Sequence, residues 1–102
     1  MLLYLIDCTN ENQAEKIAVD LFSESLIVKA SFFKDIMTKD LTEDGNIKSS
    51  QKCILFVFSK ALLYQKILDK INSYPETFLI GMPVSAVDWN IVTPLLEKTC
   101  KV

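Results

Sequence analysis

Three segments of this chain are apolar on both of their alternating sets of residues, and this constrains the fold more than any other feature. In residues 2–8 the set Leu2, Tyr4, Ile6, Cys8 and the set Leu3, Leu5 are both apolar, and residues 53–58 (CILFVF) and 78–84 (FLIGMPV) read the same way. A strand with one solvated face alternates apolar and polar residues, so these runs call for cover on both sides. The sequence offers two clear amphipathic helices. One follows Thr9 and Asn10, good N-caps with Gln13 three residues after Asn10, and repeats Ala14, Ile17, Ala18 and Leu21 up to about Glu24; the other follows Ser59 and carries Leu63, Ile67 and Ile71 on one side. Two helices cover one face of a sheet. The other face needs further copies of the chain, or a terminal helix folded across it.

The remaining elements follow in order. Residues 26–33 (LIVKASFF) read as a second strand, and the polar stretch 34–50 carries an Asp44-Gly45 turn signal, so a long hairpin returns into the run at Cys53. The second helix ends before Ser73-Tyr74-Pro75, because Pro75 disfavours helix at Tyr74. Pro83 places the end of the fourth strand at an edge or bulge. A closing helix begins at Ser85 or Asp88 and runs through Trp89, Ile91, Leu95 and Leu96, or starts again at Pro94. The order β-α-β-β-α-β-α is that of an α+β, ferredoxin-like fold: one antiparallel sheet, two helices on a single face, a long hairpin between the second and third strands, and a C-terminal helix. With 102 residues the expectation is one domain over 1–102.

Composition removes several functions. All 11 basic residues are lysines, scattered without a basic stripe, against 13 carboxylates, and the sequence has no histidine. Nucleic-acid binding is not expected without arginine forks. Without histidine there is no Ser-His-Asp or Cys-His relay and no HExxH site, and the chain is read as not an enzyme. Cys8, Cys53 and Cys100 form no CxxC pair, so reduced thiols are expected rather than a disulfide framework or zinc knuckle. No apolar run reaches membrane-span length, and Met1-Leu2-Leu3-Tyr4 lacks the basic start of a signal peptide; the expected location is cytoplasmic, with no membrane partner.

Three stretches resemble the CutA family of divalent-cation tolerance proteins. Cys8-Thr9-Asn10-Glu11 runs into Ala14-Glu15-Lys16-Ile17-Ala18 and Leu21; Gly45-Asn46-Ile47-Lys48 runs into Ile54-Leu55-Phe56-Val57; and Tyr74 precedes Leu79-Ile80-Gly81-Met82-Pro83-Val84. The resemblance implies a tight, non-enzymatic homotrimer with sheets packed around a threefold axis, the hairpin reaching onto a neighbour, and a role in divalent-cation, notably copper, tolerance. It also implies that Cys8 matches a cysteine linked to copper and that Tyr74 matches the tyrosine of a His-Pro-Tyr-Glu turn near the subunit interface. The chain departs from the family at that turn, with Asn72 in place of the histidine and Pro75 in place of the glutamate. The hairpin departs too, with Leu41 and Glu43 around Thr42 replacing a Tyr-x-Trp. An alternative with the same architecture is a PII-like trimeric regulator binding a small ligand at subunit clefts, with residues 34–50 as effector loop. Against a nucleotide ligand stands the lack of a glycine-rich phosphate loop and of arginine.

The candidate site residues each carry two readings. Cys8 is a soft thiolate ligand for copper or a buried strand-end thiol; Met1, Met37 and Met82 are scattered and supply no second soft donor. Asp7 is a cation ligand or a cap for the following helix. Asp40, Glu43 and Asp44 on the hairpin are a weak divalent-cation site or a solvated acidic loop, since they lack EF-hand spacing. Tyr74 and Trp89 line a pocket or interface, or pack ordinarily. No cofactor is certain, copper or another divalent cation being the one indicated.

Overall fold

The apolar runs become strands of one antiparallel sheet in the computed structural model, which describes residues 2–101; Met1 lies outside them. Strands β1 (Leu2–Cys8), β2 (Lys29–Leu41), β3 (Ile47–Ser59) and β4 (Phe78–Pro83) lie in the order β2-β3-β1-β4, with helices α1 (Glu11–Ser23), α2 (Tyr64–Ile71) and α3 (Trp89–Leu96) between and after them. β3 sits between β1 and β2, antiparallel to both, and this is the split βαβ, ferredoxin-like α+β arrangement read from the sequence. Tyr4, Ile6, Cys8, Leu55 and Val57 on one sheet face meet Ile17 and Leu21 of α1 and Ile67 and Ile71 of α2 in a single core.

Local chemistry fixes the helix ends. The Asn10 side chain accepts the Gln13 N–H at 2.8 Å, and Gln13 Oε1 accepts the Thr9 N–H at 2.7 Å, so the reciprocal cap closes one residue earlier than a standard box. At the other end Leu26 N–H donates to Leu21 O and Ser25 N–H to Phe22 O, a Schellman motif with Ser25 in the left-handed region at φ 56°. That motif corrects the expected strand start. Leu26 and Ile27 are turned into the core, and β2 begins only at Lys29. Ser59 is also not the cap expected of it: it ends β3, fully buried, and its hydroxyl donates to Leu26 O, while a 3-10 turn at Ala61–Leu63 leads into α2. The cap of α3 is Asp88, whose carboxylate accepts the Asn90 N–H at 3.1 Å, and the helix runs through Pro94 rather than restarting there.

The hairpin is long because β2 and β3 have 13 residues each, while β1 pairs only with the last seven of β3. Its outer half is two-stranded and stretches the molecule to 45 × 26 × 22 Å. Thr42 N–H donates to Asn46 O and Gly45 N–H to Thr42 O, with Gly45 at φ 87°; this is a three-residue loop whose last position needs a left-handed residue.

The second sheet face is apolar and open. Cross-strand register sets Leu3 between Phe58 and Met82, and Leu5 between Phe56 and Ile80. α3 does not cover this face: none of its residues is buried, and the segment after it is held by Cys100 N–H to Ser25 O, just past α1, and by Lys60 Nζ, just past β3, to Cys100 O. Phe33, Phe78 and Ile80 on that face stay exposed.

Candidate functional site

Antiparallel pairing places Cys8, the last residue of β1, directly opposite Cys53 of β3. Both thiols lie on the helix-covered face, both are buried, and both are free. Directly opposed residues on one face have Cβ atoms about 4.5–5.5 Å apart. Burial pushes the Cys8 thiol up from its usual 9.0 to about 12, with Cys53 and Asp7 adding to the rise and Lys52 opposing it. The Cys53 thiol is raised as well, first by burial and then by Glu11, with Lys34 opposing. At neutral pH these are protonated thiols, poor nucleophiles and weakly polar core groups.

Cys53 also faces an irregularity on its other side. The β2–β3 register shifts between Phe33 and Ile36, so that Lys34 and Asp35 together stand opposite Cys53, with Asp35 in the left-handed region at φ 56°. This bulge sends Lys34 to the start of α1, where its Nζ lies 2.8 Å from Glu11 Oε1. Beside it opens a recess of about 170 Å³ walled by Thr9, Asn10, Lys34, Gln51 and Cys53.

Asp7 lies on the opposite face of the sheet from Cys8, because consecutive strand residues alternate, and its strand partners are Ile54 and Phe78. Burial raises its carboxyl pKa, Lys52 opposes and Asp40 reinforces. Asp7 and Cys8 therefore do not converge on one ion, and the cap of α1 is Asn10. On the hairpin, Asp40 pairs with Lys52 at 3.8 Å, whereas Asp44 accepts hydrogen bonds from Thr42 Oγ1 and from Asn46 N and Nδ2, which lower its pKa and consume its oxygens in the turn. Glu43 is exposed beside it. Among the described residues no three His, Cys, Asp or Glu side chains are grouped to hold a metal. A hard divalent cation, which takes six or more oxygens as Ca²⁺, does not fit here. The two groups set directly opposite each other are thiols, and that of Cys8 donates to Ile6 O at 3.6 Å.

Tyr74 lines a recess with Asn12, Glu15, Lys16, Val19 and Asp20, and Trp89 is not among the residues of its wall. Tyr74 packs partly buried against the core and its hydroxyl donates to Asp20 of α1; burial first, and that hydrogen bond second, raise its pKa to about 12. Gln13 Nε2 donates to Pro75 O at 3.0 Å, so the turn that departs from the family pattern is held to α1 at two points. Trp89 opens α3 with more than half its surface exposed. Sequence reasoning misses two groups. Cys53 reads as a core hydrophobe, although pairing two apolar runs end to end sets the last residue of one against the first of the other. Tyr4 reads as a core residue, yet its hydroxyl is buried without a hydrogen-bond partner among the described residues.

No family model matches the sequence, and no curated protein matches it. Solved structures do. The CutA1 protein of Oryza sativa superimposes with a TM-score of 0.90 at 13% identity, over 99% of this chain and 94% of that one. The divalent cation tolerance protein of Thermus thermophilus gives 0.90 at 19% identity, over 98% of this chain and 100% of that one. A protein described as the periplasmic divalent cation tolerance protein CutA of Archaeoglobus fulgidus gives 0.86 at 17% identity, over 96% and 98%. At these identities the likeness is one of architecture, and it extends from the first strand through the closing helix: the chain has the fold of the CutA divalent-cation tolerance proteins.

Proposed function

We propose that this chain is a divergent, non-enzymatic member of the CutA family, a single domain that assembles as a homotrimer and serves in divalent-cation tolerance. The observation that carries the reading is the open sheet face. Leu3, Leu5, Phe56, Phe58, Ile80 and Met82 form a continuous apolar surface that neither α1, α2 nor α3 covers, in a fold shared over nearly its whole length with proteins described by that role. A surface of this kind is stable in water when copies of the chain bury it against one another. The two-stranded outer half of the hairpin, with exposed Met37, Leu41 and Ile47, supplies a second apolar contact. Three free cysteines fit a reducing compartment, which favours the cytoplasm. The thiol of Cys8, held near 12, supports a role without nucleophilic catalysis.

The test is the solution mass by light scattering on a sizing column, with and without chelator. Three copies of the 11.6 kDa chain give about 35 kDa, and chelator leaves that mass unchanged because the contact is apolar. A monomer refutes the reading.

A further inference from the structure

The open sheet face is not apolar throughout. Along β1 it carries Leu3, Leu5 and then Asp7, half-buried, whose cross-strand partners Ile54 of β3 and Phe78 of β4 are both apolar. Past Asp7 the same face turns polar: β3 continues it with Lys52, Ser50 and Lys48, and β2 sets Ile36, Thr38 and Asp40 opposite them. Asp7 thus stands on the border between the apolar surface and the outer half of the hairpin. A cation serves it there. Lys52 lies one diagonal step from Asp7 on the same face, with its side chain only 17% exposed. Its Nζ is 3.8 Å from Asp40 Oδ2, and Lys52 and Asp40 are the two charges whose fields reach the Asp7 carboxyl. Beyond them Lys48 and Glu76 join Asp40 and Lys52 around a recess of about 120 Å³.

We infer that Asp7, with Lys52 as its cation, sets the border and register of the contact between copies of the chain: the copies overlap up to the row of Asp7, Lys52 and Asp40 and stop there. This rests on the homotrimer reading and deepens it, because an apolar surface by itself does not say where the overlap ends. A carboxylate taken out of water is costly unless it keeps its cation. A docking that stops at the row buries Leu3, Leu5, Phe56, Phe58, Ile80 and Met82 and leaves the charged row paired at a rim that water reaches. A docking slid toward the hairpin lays apolar side chains over Asp7 and strips that water away; one slid the other way leaves apolar surface uncovered. Phe78 and Ile36, on either side of the row, are exposed. Without the charge at Asp7 the apolar surface would run on through them toward the hairpin. A single polar group in an otherwise apolar contact fixes register in this manner, at some loss of affinity.

Sedimentation velocity of the full chain over a dilution series tests the assignment, with far-ultraviolet circular dichroism as the check on fold. The wild type is expected to show the single mass of a trimer. Lys52→Met keeps an apolar stem but leaves Asp7 and Asp40 without their cation, and weakens association about tenfold or more. Asp7→Leu extends the apolar surface, so association tightens and the mass is no longer single, rising above that of a trimer with concentration. The double variant associates at least as tightly as the wild type, because the loss in Lys52→Met depends on the Asp7 charge. If the face acted through apolar area alone, both single variants would tighten. Lys52→Met that associates as tightly as the wild type, or more so, therefore overturns the assignment. So does Asp7→Leu with an unchanged single mass and unchanged affinity, and so does a double variant as weak as Lys52→Met. Where Asp7→Leu precipitates, Asp7→Asn takes its place, keeping the shape and removing the charge; Lys52→Met that still weakens association on that background overturns the role of Asp7. A monomeric wild type removes the homotrimer reading together with this one, whereas a trimeric wild type whose Lys52→Met variant associates unchanged removes this one alone.

Discussion

Replacing Tyr4 with phenylalanine is expected to stabilise the protein. The Tyr4 ring is fully buried on the helix-covered face of β1, stacked on Tyr64 with centroids 6.1 Å apart and planes 16° from parallel. Its hydroxyl has no hydrogen-bond partner among the described residues. A buried polar group left unsatisfied costs about 1–3 kcal/mol, whereas Phe keeps the ring and its stacking. Tyr4→Phe therefore gains about 1 kcal/mol or more, which in a domain of this length raises Tm by about 4 °C or more. The assay is thermal and urea unfolding of both proteins at one fixed chain concentration, so that association contributes equally. The pH dependence sharpens the test. Burial, helped by Tyr64, raises the Tyr4 phenol from its usual 10.0 to about 12; the native state then keeps a proton that the unfolded state loses. That contribution to stability is complete below pH 10 and is lost as pH climbs through 10 toward 12. The variant lacks this loss, so its advantage widens above pH 10. An unchanged or lower Tm for Tyr4→Phe at neutral pH refutes the reasoning, because it means the hydroxyl is paired in solution.

Other substitutions follow from the same kind of accounting. Ser25→Gly relieves a left-handed residue at the C-terminus of α1, where φ is 56°, and is expected to raise stability by about 1 kcal/mol in urea unfolding; a loss shows that the serine side chain has a role there. Gly81→Ala adds a methyl group that meets Tyr4 ring carbons at 3.6 and 3.7 Å, ordinary contact distances on a backbone without positive φ, so a gain of about 0.5 kcal/mol is expected, and a drop in Tm contradicts it. Ile80→Glu puts a charge on the open face at a residue already 42% exposed in the single chain, so far-ultraviolet circular dichroism stays unchanged while the mass by light scattering falls toward that of a monomer. A trimer retained in Ile80→Glu removes this face from the interface.

Most of the fold is legible in the sequence because its signals are local. Asn10 and Gln13, the Ala14, Ile17, Ala18, Leu21 spacing and the Asp44-Gly45 turn each act within a few residues, and the structure keeps them. The misleading positions are those where a distant partner decides. Ser59 carries the side chain of an N-cap, yet its hydroxyl is claimed by Leu26 O, 33 residues away, and the strand continues through it. Leu26 has strand propensity, but a Schellman motif at the end of α1 turns it into the core, where its burial outweighs three more residues of strand. The doubly apolar strands are the most informative signal, and they hold as an open face rather than as one folded under α3.

The candidate site is less legible for a reason that belongs to sheets in general. A cysteine on a strand shows its nearest covalent neighbours in the sequence, and for Cys8 these include Asp7, the other candidate ligand. Alternation sends Asp7 to the other face, so the true neighbours are set by register, and register depends on where β3 begins to pair. A shift of one residue would set Cys8 against Lys52 or Ile54, carry that residue to the helix-covered face and send Cys53 to the open one. The bulge is the other half of the site. Lys34 and Asp35, two residues opposite one, read in the sequence only as part of a polar extended stretch, yet they interrupt the ladder beside Cys53 and carry Lys34 to Glu11. Register sets the two thiols opposite each other in the core, and the bulge opens a recess whose wall includes Cys53; neither placement can be read from the residues adjacent in sequence.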